Sequence, residues 1–169
     1  ELGFTTLLKD YLPEEPIDWT TTLTAVDSIA ALEAVLKSAR GRSLSLWFDI
    51  SETKHFDPLG ARLKGLGLAL SPGEGFYVTS GRGLGEEDLV CRLEGVLRDP
   101  GVSKIGHDLK QAVTFFGARG IDVQGIGFDT RIAAYVLNPS RRSQELNDLL
   151  LEFLQKPLTP ESEQSEAQG

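Results

Sequence analysis

The run Ser43-Leu-Ser-Leu-Trp-Phe-Asp49 constrains the fold of this chain more than any other segment. Its first half alternates polar and apolar residues, and its second half is apolar on both faces, as in a central buried strand. It ends in a charged cluster from Asp49 to Asp57. A second β-type run, Leu63 to Leu70, and a third, Phe76 to Thr79, flank Ser71-Pro-Gly-Glu-Gly75. That turn chemistry makes the pair an antiparallel hairpin.

Helical spacing surrounds these strands. Thr20 to Val26 is Thr-rich and β-prone, and Asp27 or Ser28 then offers an N-cap for a helix to Ala39, closed by Gly41. Glu86 to Arg98 carries Leu89, Leu93, Val96 and Leu97 on one stripe before Asp99-Pro-Gly101 stops it. A short strand holds Lys104-Ile-Gly106, a helix follows from Asp108 to Ala118, and a short apolar segment runs through Ile121 and Val123. Asp129 can cap a helix ending at Asn138-Pro139, and a last helix spans Gln144 to Leu154. Hairpin strands followed by alternating helices and strands predict an α/β domain of the ribonuclease-H-like kind, a mixed antiparallel and parallel sheet flanked by helices.

We expect residues 1–18 to be a linker, 19–156 to be the domain, and 157–169, TPESEQSEAQG after Pro157-Leu158, to be a disordered acidic tail. The 169 residues, 40% hydrophobic and 25% charged, suffice for one globular domain. The chain opens at Glu1 and contains no methionine, which reads as a piece of a longer protein. A net charge of −8 argues against a free-standing nucleic-acid binder, which collects Lys and Arg on one face. No apolar run approaches the roughly 20 residues needed to span a bilayer, so the expectation is a soluble, intracellular domain with no membrane partner. Cys91, the single cysteine, falls among apolar helical neighbours and is expected to be a buried, inert thiol.

Several segments, in order and at fitting spacing, carry a family resemblance over nearly the whole chain. They are the opening Glu-Leu-Gly-Phe-Thr-Thr-Leu-Leu, Trp47-Phe-Asp49 followed by Leu66-Gly-Leu-Ala-Leu70, and Lys104-Ile-Gly-His-Asp-Leu-Lys110. The last is Gly120-Ile-Asp-Val-Gln-Gly-Ile-Gly-Phe-Asp-Thr130, running into Ala133-Ala-Tyr-Val-Leu-Asn-Pro139. Together they resemble the 3′–5′ exonuclease (proofreading) domain of bacterial family A DNA polymerases. The resemblance implies a polymerase domain in the same parent chain, DNA contact through that parent, and a cytoplasmic, nucleoid-associated location. It also implies a two-metal site in which Mg²⁺ or Mn²⁺ is held by carboxylates on a strand and two helices.

The carboxylates that the resemblance asks for are incomplete. The first motif, Asp-x-Glu in the family, reads Asp49-Ile-Ser-Glu52, which puts Asp49 and Ser51 on one face of a strand and Glu52 on the other. Gly65 sits one residue late for the family spacing, so an insertion at Ile50, taken up as a bulge, would restore both carboxylates. In the second motif, Gln111-Ala112 stands where the family has Tyr-Asp. Asp108 lies one turn earlier and is expected to cap its helix. The third motif, Tyr-x-x-x-Asp, falls past Gly169. Asp49, Glu52 and Asp108 are therefore vestigial candidates. Asp49 is the best remaining metal ligand, and no cofactor is expected unless the site is active.

Other residues take plainer readings. Gly65-x-Gly67 and Gly81-x-Gly83-x-Gly85 lack the strand, loop and helix context of a nucleotide site and are expected in turns. His55 and His107 have no third ligand at metal spacing, and a local hydrogen bond is expected of His107. Ser51 has no histidine partner for nucleophilic catalysis. Arg141, Arg142, Lys104 and Lys110 read as scattered surface charge, and Asp129 as a helix cap. The function expected is a catalytically inactive, structural exonuclease-like module of a DNA polymerase. The alternatives are a divergent active exonuclease using Asp49, Glu52 and Asp108 together with the third-motif Asp past Gly169, and a non-cleaving groove for single-stranded DNA.

Overall fold

Alternation along Ser43–Ile50 (β2) sets the sheet: Leu44, Leu46 and Ile50 are buried, while Ser43, Ser45 and Trp47 face outward. The computed structural model describes residues 21–51, 57–81 and 83–155, so the expected opening linker and acidic tail lie outside it. The described residues fall into two compact units, 21–133 and 134–155.

The first unit holds a six-stranded mixed sheet. β2 pairs antiparallel with Leu63–Ser71 (β3), which turns through Pro72 and Gly73 into antiparallel Glu74–Thr79 (β4). Gly73 has φ +86°, a conformation that L side chains avoid. Thr22–Ala25 (β1) runs parallel to β4, Ser103–Gly106 (β5) parallel to β2, and Ile126–Asp129 (β6) parallel to β5. The strand order is β1-β4-β3-β2-β5-β6. Hairpin and parallel connections meet in one sheet, as the sequence pattern predicts.

Three helices cover one face of it. Ile29–Ser38 (α1) is capped by Ser28, whose Oγ accepts from the Ala31 N–H at 3.3 Å. Glu86–Arg98 (α2) buries the predicted stripe Leu89, Leu93, Val96 and Leu97. Leu109–Gly117 (α3) buries Leu109, Ala112, Phe115 and Phe116. All of these except Leu109 share one core with Leu44, Leu46, Ile50, Leu63, Leu66, Leu68 and Val78 of the strands. Phe116 meets Phe48 edge-on at 5.3 Å and Phe115 at 5.1 Å.

The register of β2 against β3 slips once. Asp49 pairs with Gly65 but Ile50 pairs with Leu63, leaving Lys64 as the extra residue. The bulge therefore lies on β3 and not at Ile50 on β2, where an insertion was expected. It brings Leu63 and Leu66, three apart in sequence, onto the same core face.

Four further expectations are corrected. Trp47 is 45% exposed, so β2 is buried on one face rather than two. Gly65 and Gly67 lie inside β3 instead of in a turn, whereas Gly81 and Gly83, at φ +123° and +86°, do sit in a loop. Cys91 is exposed, because two residues beyond Leu89 is about 200° round the helix from the core stripe. Lys104 is wholly buried and belongs to no surface patch, since its partner across the parallel ladder is core residue Leu44.

The segment through Ile121 and Val123 is not a strand, although Ile121 is buried. The chain first turns at Gly125, φ +68°, whose carbonyl accepts from the Lys104 N–H at 2.8 Å, and pairing starts at Ile126.

Thr130–Leu137 (α4) follows β6 without a break and gives its last turn to the second unit. That unit also contains Leu146–Leu154 (α5), with Leu149 buried. Its loop is tied by Arg141, which bonds Glu152 at 2.5 Å and lies 5.2 Å over the Phe153 ring. No helix among the described residues is long and apolar enough to cross a membrane.

Candidate functional site at the carboxyl edge of the parallel strands

Asp49, Asp108 and Asp129 follow the same logic of placement. β2, β5 and β6 run parallel, and each delivers its aspartate at or just beyond its carboxyl end. This is the edge where α/β sheets place ligands. The sequence candidates Asp49 and Asp108 thus come to one end of the sheet, but their environments differ.

Asp49 is half-buried, and no described residue bonds to its carboxylate. Strand alternation puts it on the face opposite Phe48 and Ile50. Ala112, at the position where the resemblance asks for an aspartate, is only 4% exposed and lies within the core that Phe48 and Ile50 border. A methyl group there coordinates nothing. Ser51 is committed locally: its Oγ accepts from the Arg62 N–H at 2.8 Å, and its own N–H donates to the Arg62 carbonyl at 2.8 Å. Glu52 and His55 lie outside the described residues.

Asp108 does not cap α3 as expected. It occupies the N-cap position with φ +54° and ψ +48°, left-handed backbone in which its carboxylate makes no cap bond. The carboxylate instead pairs with Arg131 at 2.9 Å. The capping is done by Asp129, which is 7% exposed. Its Oδ1 accepts from the N–H groups of Asp108 at 3.1 Å and Arg131 at 2.9 Å, with Ile132 at 3.4 Å, and its Oδ2 accepts from Leu109 at 2.7 Å. One carboxylate therefore closes the amino ends of both α3 and α4, and the helix dipoles favour its charge.

His107 makes the expected local bond, Nδ1 to the Thr130 hydroxyl at 2.8 Å. The same hydroxyl also lies 3.3 Å from the Gly106 carbonyl. Arg131 was not singled out in the sequence. A lone basic residue after an Asp-Thr pair carries no signal until the fold brings it to Asp108.

The loop after β2 returns to the core under Arg119. Its guanidinium donates to the carbonyls of Pro58 at 2.7 Å, Ala61 at 2.8 Å and Phe115 at 3.1 Å, and lies 3.6 Å over the Phe115 ring. Glu86, 3.6 Å away, balances the charge and accepts from the Leu63 N–H at 3.2 Å. These bonds hold residues 58–63, where the chain enters β3, and add no ligand to the candidate site. Lys104 is equally structural: its Nζ donates to the Asp99 carbonyl at 2.5 Å. Burial lowers its pKa below 10.5, and the nearby Asp99 charge opposes that shift.

Among the described residues no three His, Cys, Asp or Glu side chains are grouped to hold a metal ion. Of the described oxygens at this edge, those of Asp129 are taken by backbone N–H groups, the Asp108 carboxylate is paired with Arg131, and Asp49 alone keeps a carboxylate with no described partner, while Ala112 brings no oxygen.

Residues 61–163 match the family model of the DNA polymerase I, ribonuclease H-like domain. DNA polymerase I of Mycobacterium tuberculosis is 33% identical over 109 residues, covering 64% of this chain and 12% of the relative. DNA polymerase I of Pseudomonas aeruginosa is 29% identical over 150 residues, 83% of this chain and 16% of the relative. Among solved structures, the POL domain of Pol1 from M. smegmatis in complex with DNA primer-template and dNTP superposes with a TM-score of 0.62. It is 28% identical, over 82% of this chain and 23% of that one. Escherichia coli RNase D, an exoribonuclease, matches the fold with a TM-score of 0.64 at 16% identity, over 85% of this chain and 36% of its own. The chain spans about an eighth to a sixth of the curated polymerases it matches.

Proposed function

This chain belongs to the DNA polymerase I, ribonuclease H-like domain family, and from that premise we propose that it is an exonuclease-like domain that has lost nuclease chemistry and serves its parent polymerase as a structural module. The observation that carries this reading is Ala112. Two-metal hydrolysis needs a dense cluster of anionic oxygens, one metal activating water and the other stabilising the leaving oxygen. Here the second-motif position is an apolar residue buried in the core, and the neighbouring Asp108 already has a cation in Arg131. The retained parts of the site, Asp129 above all, work as helix caps and hold the fold.

DNA contact, on this reading, is made by the parent polymerase rather than by this sheet edge. The test is an assay of the parent polymerase on a primer with a mismatched 3′ end in Mg²⁺ and in Mn²⁺. No removal of the terminal nucleotide is expected. Removal that Asp49→Ala abolishes would establish the divergent active exonuclease instead, with Asp49, Glu52 and Asp108 as its carboxylates. Titrating Mn²⁺ into the chain by calorimetry gives a second readout, in which tight binding at two sites overturns the proposal.

A further inference from the structure

The helices α1, α2 and α3 all pack on one face of the sheet, and the opposite face carries an apolar row that crosses five of the six strands. The row is staggered: Leu23 pairs with Gly75, two residues before Tyr77; Tyr77 and Trp47 both pair with Gly67; and Ile105 pairs with Ser45, two residues before Trp47, and with Phe128. Leu23 and Trp47 are each 45% exposed and Phe128 is 50% exposed. Glycines flatten this surface. A Cβ on Gly67 would lie 3.5 Å from Trp47 Cβ and 3.7 Å from its ring, and one on Gly65 would meet the Tyr77 hydroxyl at 2.9 Å. Both aromatic side chains therefore lie down over bare backbone, which explains the Gly-x-Gly spacing that sequence reasoning gave to a turn.

Leu23, Trp47 and Phe128 are exposed, with Tyr77 and Ile105 half-buried between them, and an apolar surface of this kind marks a docking site. Parallel strands such as β2, β5 and β6 are normally covered on both faces. The row contains no Lys or Arg, so it lacks the cations that hold a phosphate backbone. A second copy would bring together two chains of net charge −8. More than three quarters of the M. smegmatis chain lies outside the match, so the parent supplies ample further polypeptide.

We infer that the Trp47 face is where the remainder of the parent polymerase polypeptide docks onto this domain. The inference rests on the structural-module reading and names the surface through which that module acts. It predicts burial of Trp47, Tyr77 and Phe128 in the parent, with the α1–α2 side of the domain left in solvent.

Hydroxyl-radical footprinting read by peptide mass spectrometry tests this on the 169-residue chain and on the intact parent polymerase, both without DNA. Oxidation of Trp47 and Phe128 should fall about tenfold in the parent, while Leu59, 71% exposed and off the row, stays equally reactive. Equal oxidation in both proteins overturns the inference. So does protection that appears in the 169-residue chain as its concentration rises, which marks a second copy, and so does protection in the parent that requires added primer–template. A second measurement uses Trp47→Glu, which replaces a side chain outside the core. The variant should leave the unfolding midpoint of the 169-residue chain unchanged and make the parent cleavable by protease at the edges of this domain. An equally resistant parent overturns docking. The mismatch assay is independent of these outcomes: a parent that trims DNA yet shields Trp47 removes the non-catalytic reading and leaves the docking surface standing.

Discussion

Lys104 shows how much one buried charge can reveal. Its ammonium is removed from water and held by one carbonyl, so burial lowers its pKa and the unfolded chain binds the proton more tightly. Between the folded-state pKa and 10.5 the unfolded state carries more protons, so stability rises with pH across that window. Below the window the full cost of the buried charge is present. Lys104→Met should abolish the rise while leaving the packing with Leu44 intact, and urea unfolding of both proteins from pH 8 to 10.5 measures it. The wild-type gain cannot exceed about 1.4 kcal/mol per pH unit. An equal slope in the variant would show that the lysine does not cause it. The sequence alone could not place this residue, because a lysine in a short strand faces water or core according to register, and register depends on a partner strand 60 residues away.

Among the elements, the joint between α3 and α4 depends on Asp129. Its carboxylate satisfies amide donors at two helix ends that have no partner within their own helices. Asp129→Ala should cost about 2–4 kcal/mol, two caps at about 1–2 kcal/mol each. Asp129→Asn keeps one acceptor oxygen and should lose about half of that. Denaturant midpoints of the two variants check the order, and equal losses would mean that packing rather than capping sets the cost. The capping role was legible from a short acidic residue before a helical run, but its second client was not, since α3 begins 20 residues earlier in the chain. The same limit misplaced the cap onto Asp108. The hydrophobic stripes of α1 and α2 and the hairpin were legible because they rest on spacings within one element. The β3 bulge was not, because the slip exists only between two strands.

At the level of the whole molecule, charge decides what the domain can touch. A net charge of −8 raises the cost of approaching a polyanion, and both Arg131 and Arg119 already face a carboxylate, Asp108 and Glu86 respectively. The missing oxygen at position 112 could be read from the sequence, since no fold can give an alanine one. The neutralisation of Asp108 could not, because Arg131 meets it only after β6 and α4 are in place. A nuclease edge normally recruits its nucleic acid through metals and free cations, and among the described residues no three metal-ligating side chains are grouped, while Lys110 is an exposed cation at this end. The 169-residue chain should therefore leave the fluorescence anisotropy of a short labelled single strand unchanged at 50 mM salt, which corresponds to a Kd weaker than about 10⁻⁴ M. A rise in anisotropy that salt reverses, and that charge reversal at Lys110 or Arg142 removes, would mean that the old cleft still grips single-stranded DNA.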